Sequence, residues 1–128
     1  FMPNNTVEHI GVFKLDADLK KQVRIIVVKL WVDDALYDDT FYMFNYKEDV
    51  GCYTRLPKAE LSIRAEGSYA VVENISDVLA VGVFVENLEH DTEFIADSNF
   101  FCLAPHEKRE IKVSHTEGIS VRAFNFSR

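Results

Sequence analysis

The sequence predicts an all-β fold, an antiparallel sandwich of about seven or eight short strands. Strand-like runs rich in β-branched and aromatic residues recur along the chain. Clusters of Gly, Asp, Asn, Ser and Pro separate them. No stretch longer than two turns carries a capped apolar period of about 3.6 residues, so helices are scarce.

The first element, Asp16 to Lys21, is at most one helical turn, with Leu15 and Leu19 on one side. Gln22 to Val32 (QVRIIVVKLWV) is apolar on both faces in its middle, as a central strand covered on both sides would be. An acidic turn is expected around Asp33 to Asp39, then a short aromatic strand from Phe41 to Tyr46. From Ala59 to Ala65, Leu61 and Ile63 alternate with Glu60, Ser62 and Arg64. Glu66-Gly67-Ser68 joins this strand to Tyr69–Asn74 as a hairpin. Leu79 to Glu86 sets Leu79, Val81, Val83 and Val85 on one face. A longer polar loop runs from Glu86 to Phe100. Lys108 to Val113 turns Ile111 and Val113 inward and Glu110 and Lys112 outward. After Thr116-Glu117-Gly118, Ile119, Val121 and Ala123 alternate with Ser120 and Arg122.

A chain of 128 residues suits a single domain. Its 48% hydrophobic and 27% charged composition is that of an ordinary globular fold. The net charge of −7 argues against a nucleic-acid surface, which needs clustered Lys and Arg. No run approaches the ~20 apolar residues of a membrane span. The opening Phe1-Met2-Pro3 reads as a cut or engineered start rather than a targeting segment, and the expectation is a piece of something larger. Cys52 and Cys102 are no disulfide framework, and free thiols are the expectation, although one bridge is geometrically allowed.

Catalytic chemistry finds no anchor. A glycosidase needs two carboxyl groups about 5–9.5 Å apart, and a chain with 21 acidic residues supplies such pairs by chance. Asp33, Asp34, Asp38 and Asp39 fall in a predicted turn, and Glu60 and Glu110 point outward. His9, His90, His106 and His115 lack metal-ligand spacing, so no metal, catalytic or cofactor-binding residue is assigned. No Gly-x-Ser-x-Gly elbow or phosphate-cradling glycine loop occurs. The aromatics are more suggestive: Trp31, Tyr42 and Tyr46 are candidates for stacking on sugar or for docking a partner, although rings in strands more often pack in cores. Three Asn-x-Ser/Thr triplets begin at Asn4, Asn74 and Asn125 and would matter in a eukaryotic secretory protein.

One stretch is more specific. Asp97 to Glu107, DSNFFCLAPHE, resembles the "Ser-Asp-Asn-x-Phe-x-Leu-x-Pro-Gly-Glu" segment of C-terminal immunoglobulin-like domains in β-mannosidases, in the glycosidase group that includes β-galactosidases and β-glucuronidases. Asn99, Phe101, Leu103, Pro105 and Glu107 match, while Ser98 replaces an Asp and His106 a Gly. Leu79 to Glu86, the pair Lys108–Val113 and Ile119–Asn125, and Tyr42 to Pro57 are similar to family segments in the same order. The resemblance implies an immunoglobulin-like sandwich with residues 57–128 as its core and 1–56 including the junction with a preceding domain. It also implies a parent enzyme that hydrolyses terminal β-mannose with retention. The catalytic glutamates would lie on a separate (β/α)8 barrel of about 250 residues, so none is carried over. The expected partners are the catalytic and other domains of the parent chain, with a weak glycan contact, no nucleic acid and no membrane. The five matching motif residues are expected to be architectural: Phe101 and Leu103 inward, Pro105 ending a strand, Asn99 satisfying loop backbone, and Glu107 on the solvent face. Two other classes compete: a carbohydrate-binding module and an adhesion-type immunoglobulin domain. Trp31 precedes both cysteines, unlike the Cys…Trp…Cys order of the latter.

Overall fold

The structure is a computed structural model and describes His9, residues 11–12, Lys14 and residues 24–44, 50–89 and 93–126. Among these, eight strands form three antiparallel sheets, and the one helical piece is a 3-10 segment at Val50–Arg55. Strands β1 (Arg24–Val32) and β2 (Ala35–Phe44) make a hairpin. β3 (Leu61–Glu66), β4 (Tyr69–Asn74) and β7 (Lys108–Lys112) form one sheet of a sandwich, in the order β3-β4-β7. β5 (Ala80–Asn87), β6 (Phe101–Leu103) and β8 (Ile119–Arg122) form the other, ordered β6-β5-β8. The connections β4 to β5, β6 to β7 and β7 to β8 cross between the sheets, giving the immunoglobulin-like antiparallel sandwich. The candidate turn at Asp16–Lys21 lies outside the described residues.

The core forms where the inner faces meet. Ala70, Val72 and Ile111 of one sheet pack against Ala80, Val83, Val85, Phe101, Leu103 and Val121 of the other. Ile111 and Val113 point inward as the alternation predicts, and Glu110 and Lys112 outward. The Leu79–Glu86 face departs from prediction. Between Ala80 and Val83 the register slips against β6, with Gly82 at φ 60°. This bulge places Ala80, not Leu79, in the core cluster with Val83 and Val85. Gly82 is required there: a Cβ would meet the Phe124 ring at 2.7 Å.

The segment from Asp33 to Asp39 also differs. Only Asp33 and Asp34 form the turn, at φ 48° and 63°. These are the left-handed angles of a two-residue hairpin turn matched to strand twist, which Asp tolerates. Asp38 and Asp39 instead belong to β2, which makes the predicted short aromatic strand ten residues long.

Three buried amides tie the strands together. Asn74 Nδ2 donates to the carbonyls of Val78, Leu103 and Ala104, while its Oδ1 accepts from the Ser76 N–H and hydroxyl. Asn125 Nδ2 donates to Pro57 and Leu79, and its Oδ1 accepts from the Val81 N–H. Asn87 Oδ1 accepts from the Glu89 N–H. Asn74 is 0% exposed and Asn125 2%, so the two triplets they begin are strand-joining devices whose amides a glycan cannot reach in the folded chain. Asn4 lies outside the described residues.

Candidate functional site

The motif Asn99–Glu107 builds the junction of sandwich and hairpin. Phe101 and Leu103 are 3% and 0% exposed in the core. β6 is only three residues long, and Asn99 extends its work: Oδ1 accepts from the Val85 N–H at 2.8 Å and Nδ2 donates to the Val85 carbonyl. Pro105 sits in the tight turn that follows, closed by the Glu107 N–H donating to the Ala104 carbonyl at 3.1 Å. His106, at φ 61°, occupies the third turn position. That is the site where a type II turn needs a left-handed residue and favours glycine, so the replacement of Gly by His has a backbone consequence.

Glu107 is not a simple solvent-face charge. Its Oε2 accepts from the Ala104 N–H at 2.8 Å, and its Oε1 holds Lys29 Nζ of β1. The strand direction explains this: the residue that closes the turn also stands at the edge where the hairpin crosses. Arg109 completes the clamp with two bonds to Asp39 of β2, at 3.2 and 2.8 Å, both side chains nearly buried. The guanidinium lies 4.1 Å from the Phe101 ring centroid, a cation–π contact. The available signal was parity: Arg109 shares a face with Ile111 and Val113, and an inward charge needs a partner.

The hairpin presents the predicted aromatics. Asp39 and Phe41 face the sandwich, Phe41 meeting Phe124 edge-on at 6.4 Å. On alternate residues Val28, Leu30 and Tyr42 are about half exposed, and Trp31 is 56% exposed near the tip. The strand read as covered on both sides is therefore covered on one. Tyr42 pairs across with Ile26, five residues from Trp31, or about 17 Å along the strand. One sugar ring cannot stack on both. Tyr42 packs instead beside Phe44, centroids 6.5 Å apart. Tyr46 lies outside the described residues.

A second aromatic group was not singled out by sequence. Phe84 on β5 points away from the core, directly opposite Arg122 of β8. Phe100 stacks on it, with centroids 5.4 Å apart and planes at 30°, and remains 58% exposed. Phe100 holds φ at 61°, unusual for a bulky residue and costing about 1–3 kcal/mol. Arg122 Nε donates to Glu86 Oε1 at 2.6 Å, and the Ser120 hydroxyl donates to the same oxygen. The signal here is the outward parity of Phe84, Arg122 and Glu86; the strained backbone at Phe100 leaves no trace in the sequence.

Asp38, Asp39, Asp97 and Glu110 line a cleft of about 400 Å³ with Arg109. Asp39 is neutralised by Arg109, and Asp97 accepts the Lys112 N–H at 3.0 Å. Among the described residues no three His, Cys, Asp or Glu side chains gather as a metal site. His106 Nε2 lies 3.0 Å from Asp77 Oδ1 at the surface, and His115 Nδ1 is 3.0 Å from the Ser114 hydroxyl. Cys102 is a free, buried thiol whose pKa desolvation raises, against the opposing pull of a hydrogen bond to the Gly82 backbone. It is thus a poor nucleophile.

No curated protein matches the chain. A family model described as an Ig-fold domain, that of the mannosidase immunoglobulin-like domains, matches residues 56–125. The match spans both sandwich sheets, the Asn99–Glu107 motif and the aromatic group on β5 and β8. It covers more than half of the 128 residues, and the chain belongs to the mannosidase Ig-fold domain family.

Proposed function

We propose that this chain is a non-catalytic accessory domain of a β-mannosidase-like glycoside hydrolase, and that it packs against the catalytic part of its parent through the outer face of the β1–β2 hairpin. The observation that carries the reading is the family match over residues 56–125. The hairpin supports it. A two-stranded ribbon is marginal by itself, and this one is clamped to the sandwich on one face while Val28, Leu30 and Tyr42 stand exposed on the other. Exposed apolar groups gathered on one face favour a protein partner. On this reading residues 1–56 carry the junction with a preceding domain, and the sandwich holds the hairpin at a fixed angle for that neighbour.

Two measurements test the proposal. Purified chain incubated with an aryl β-mannoside should show no turnover above buffer, and turnover that survives removal of host enzymes contradicts it. In the full-length parent, the hairpin outer face should be protected: hydrogen exchange of β1 should be slower than in the isolated chain. A coding sequence with no further domain, or equal exchange in both settings, ends the reading.

A further inference from the structure

We propose that the β1–β2 hairpin is a strap: it opens from the sandwich as one unit while both sheets stay folded, and its closure is what shields the Cys102 side chain from solvent.

The shielded side comes first. β6 turns Phe101 and Leu103 into the core between the sheets. Cys102 stands between them and points the opposite way, to the outward side of its sheet. Val81 of β5 also stands outside the core cluster. Both are only 1% exposed, so that side is covered. The same face is wet elsewhere, with the Arg122 side chain 49% exposed. The cover is the hairpin. β2 packs on β6, and the charged groups that bear on the Cys102 thiol are Asp39, Lys29 and Arg109, three of the four side chains of the clamp.

The hairpin is also the part of the fold that can leave alone. No residue from 24 to 44 is buried, and none belongs to the core cluster. Its ladder bonds join β1 to β2, with none to either sheet of the sandwich. Opening therefore breaks no sheet and uncovers no core, the mark of a segment that opens ahead of global unfolding. What holds it is Phe41 against Phe124 and the two ion pairs, Asp39–Arg109 and Lys29–Glu107. Phe124 stays 53% exposed under that contact. The charges regain water when the strap lifts, which offsets much of the lost attraction. The sandwich is complete without the strap: the family match over residues 56–125 holds both sheets and none of the hairpin.

The test follows two signals in the whole chain: amide hydrogen exchange strand by strand, and modification of Cys102 by N-ethylmaleimide, located by peptide mass spectrometry. Rates are set against those of the chain unfolded in urea. A ribbon off the sandwich is marginal, so its amides exchange at each opening. β1 and β2 should exchange at least about tenfold faster than β4 and β5. Cys102 modification should share the hairpin's shallow urea dependence, because local opening exposes less surface than global unfolding. Asp39→Asn, which removes the clamp's charge and keeps its shape, should speed both hairpin signals by about tenfold or more and leave β4 and β5 unchanged. Lys29→Met should act the same way. Docking of the outer face in a full-length parent is a separate matter, since these rates are read in the chain alone. The proposal falls if Cys102 is modified no faster than β4 and β5 exchange, or if the hairpin exchanges freely while Cys102 stays unreactive. It falls as well if Asp39→Asn, or Lys29→Met should the first not fold, speeds β4 and β5 as much as the hairpin.

Discussion

In β5, Ala80, Val83 and Val85 are at most 2% exposed, whereas in β1 Val28, Leu30 and Val32 stand at 48–53%. Both strands are antiparallel and rich in aliphatic residues. The difference is what lies on the second face. β5 has the opposite sheet over its aliphatic side and a polar–aromatic surface on the other. β1 has the sandwich on one side and, among the described residues, no element over the other. Local sequence chooses a strand in both cases; only the partner decides whether its apolar residues become core. The hairpin stays in place through contacts with the sandwich, Asp39 to Arg109, Lys29 to Glu107 and Phe41 to Phe124, rather than through a closed core of its own.

The largest expected effect lies on the sandwich side. Phe101→Ala empties a buried site shared by both sheets and removes the ring under Arg109. It should destabilise by about 3–5 kcal/mol, read as a shift of the urea midpoint. An unchanged midpoint would mean that the core does not depend on β6.

The next effect tests the clamp. Asp39→Ala leaves the Arg109 guanidinium nearly buried and unpaired, a loss of about 3 kcal/mol. Arg109→Met with Asp39→Ala should recover part of it, because the double change leaves no uncompensated charge. If Asp39→Ala costs nothing, the hairpin is held by Phe41 and its neighbours, and the ion pair is incidental.

These two predictions show how legible the molecule was. Period two survives where one face is wet, as in β7, where Ile111 is buried between exposed Glu110 and Lys112, whereas in β4 and β6 consecutive residues are buried. Phe101 and Leu103 are buried as the spacing predicts, although Cys102 between them is buried as well. The partners of Glu107 and Arg109 were opaque: parity marks Arg109 as inward, but Lys29 and Asp39 lie 78 and 70 residues away and no local rule names them. The Leu79–Val81 face was misassigned because Gly82 could as well have been an ordinary strand glycine; only φ 60° reveals the bulge. The aromatic group at Phe84 and Phe100 was missed because a ring beside a core residue reads as core until the backbone angle turns it outward.

A smaller effect, of opposite sign, belongs to the turn that links the clamp to the core. His106 holds φ 61° where glycine carries no Cβ penalty, and its ring meets the exposed Asp77. His106→Gly should raise stability by about 1 kcal/mol, offset in part by the freer unfolded chain. A fall in melting temperature would show that the His106–Asp77 contact outweighs the strain.

The smallest effect is the most direct comparison of the two regions. Tyr42 is 54% exposed on the outer face of the hairpin and touches mainly Phe44. Tyr42→Ser in the isolated chain should change stability by no more than about 0.5 kcal/mol, as exposed positions usually do, while Phe101→Ala removes several. The same Tyr42→Ser change in a full-length parent should cost about 2 kcal/mol or more, because there the ring would be buried against a neighbouring domain. Thermal unfolding of both forms, each with and without the substitution, gives the answer. Equal small effects in both would leave this face wet in the parent, and the hairpin would then be an appendage of the sandwich rather than its docking surface. A large effect already in the isolated chain would mean that Tyr42 braces the ribbon through Phe44, and the contrast with β5 would rest on exposure without the energetic difference drawn from it.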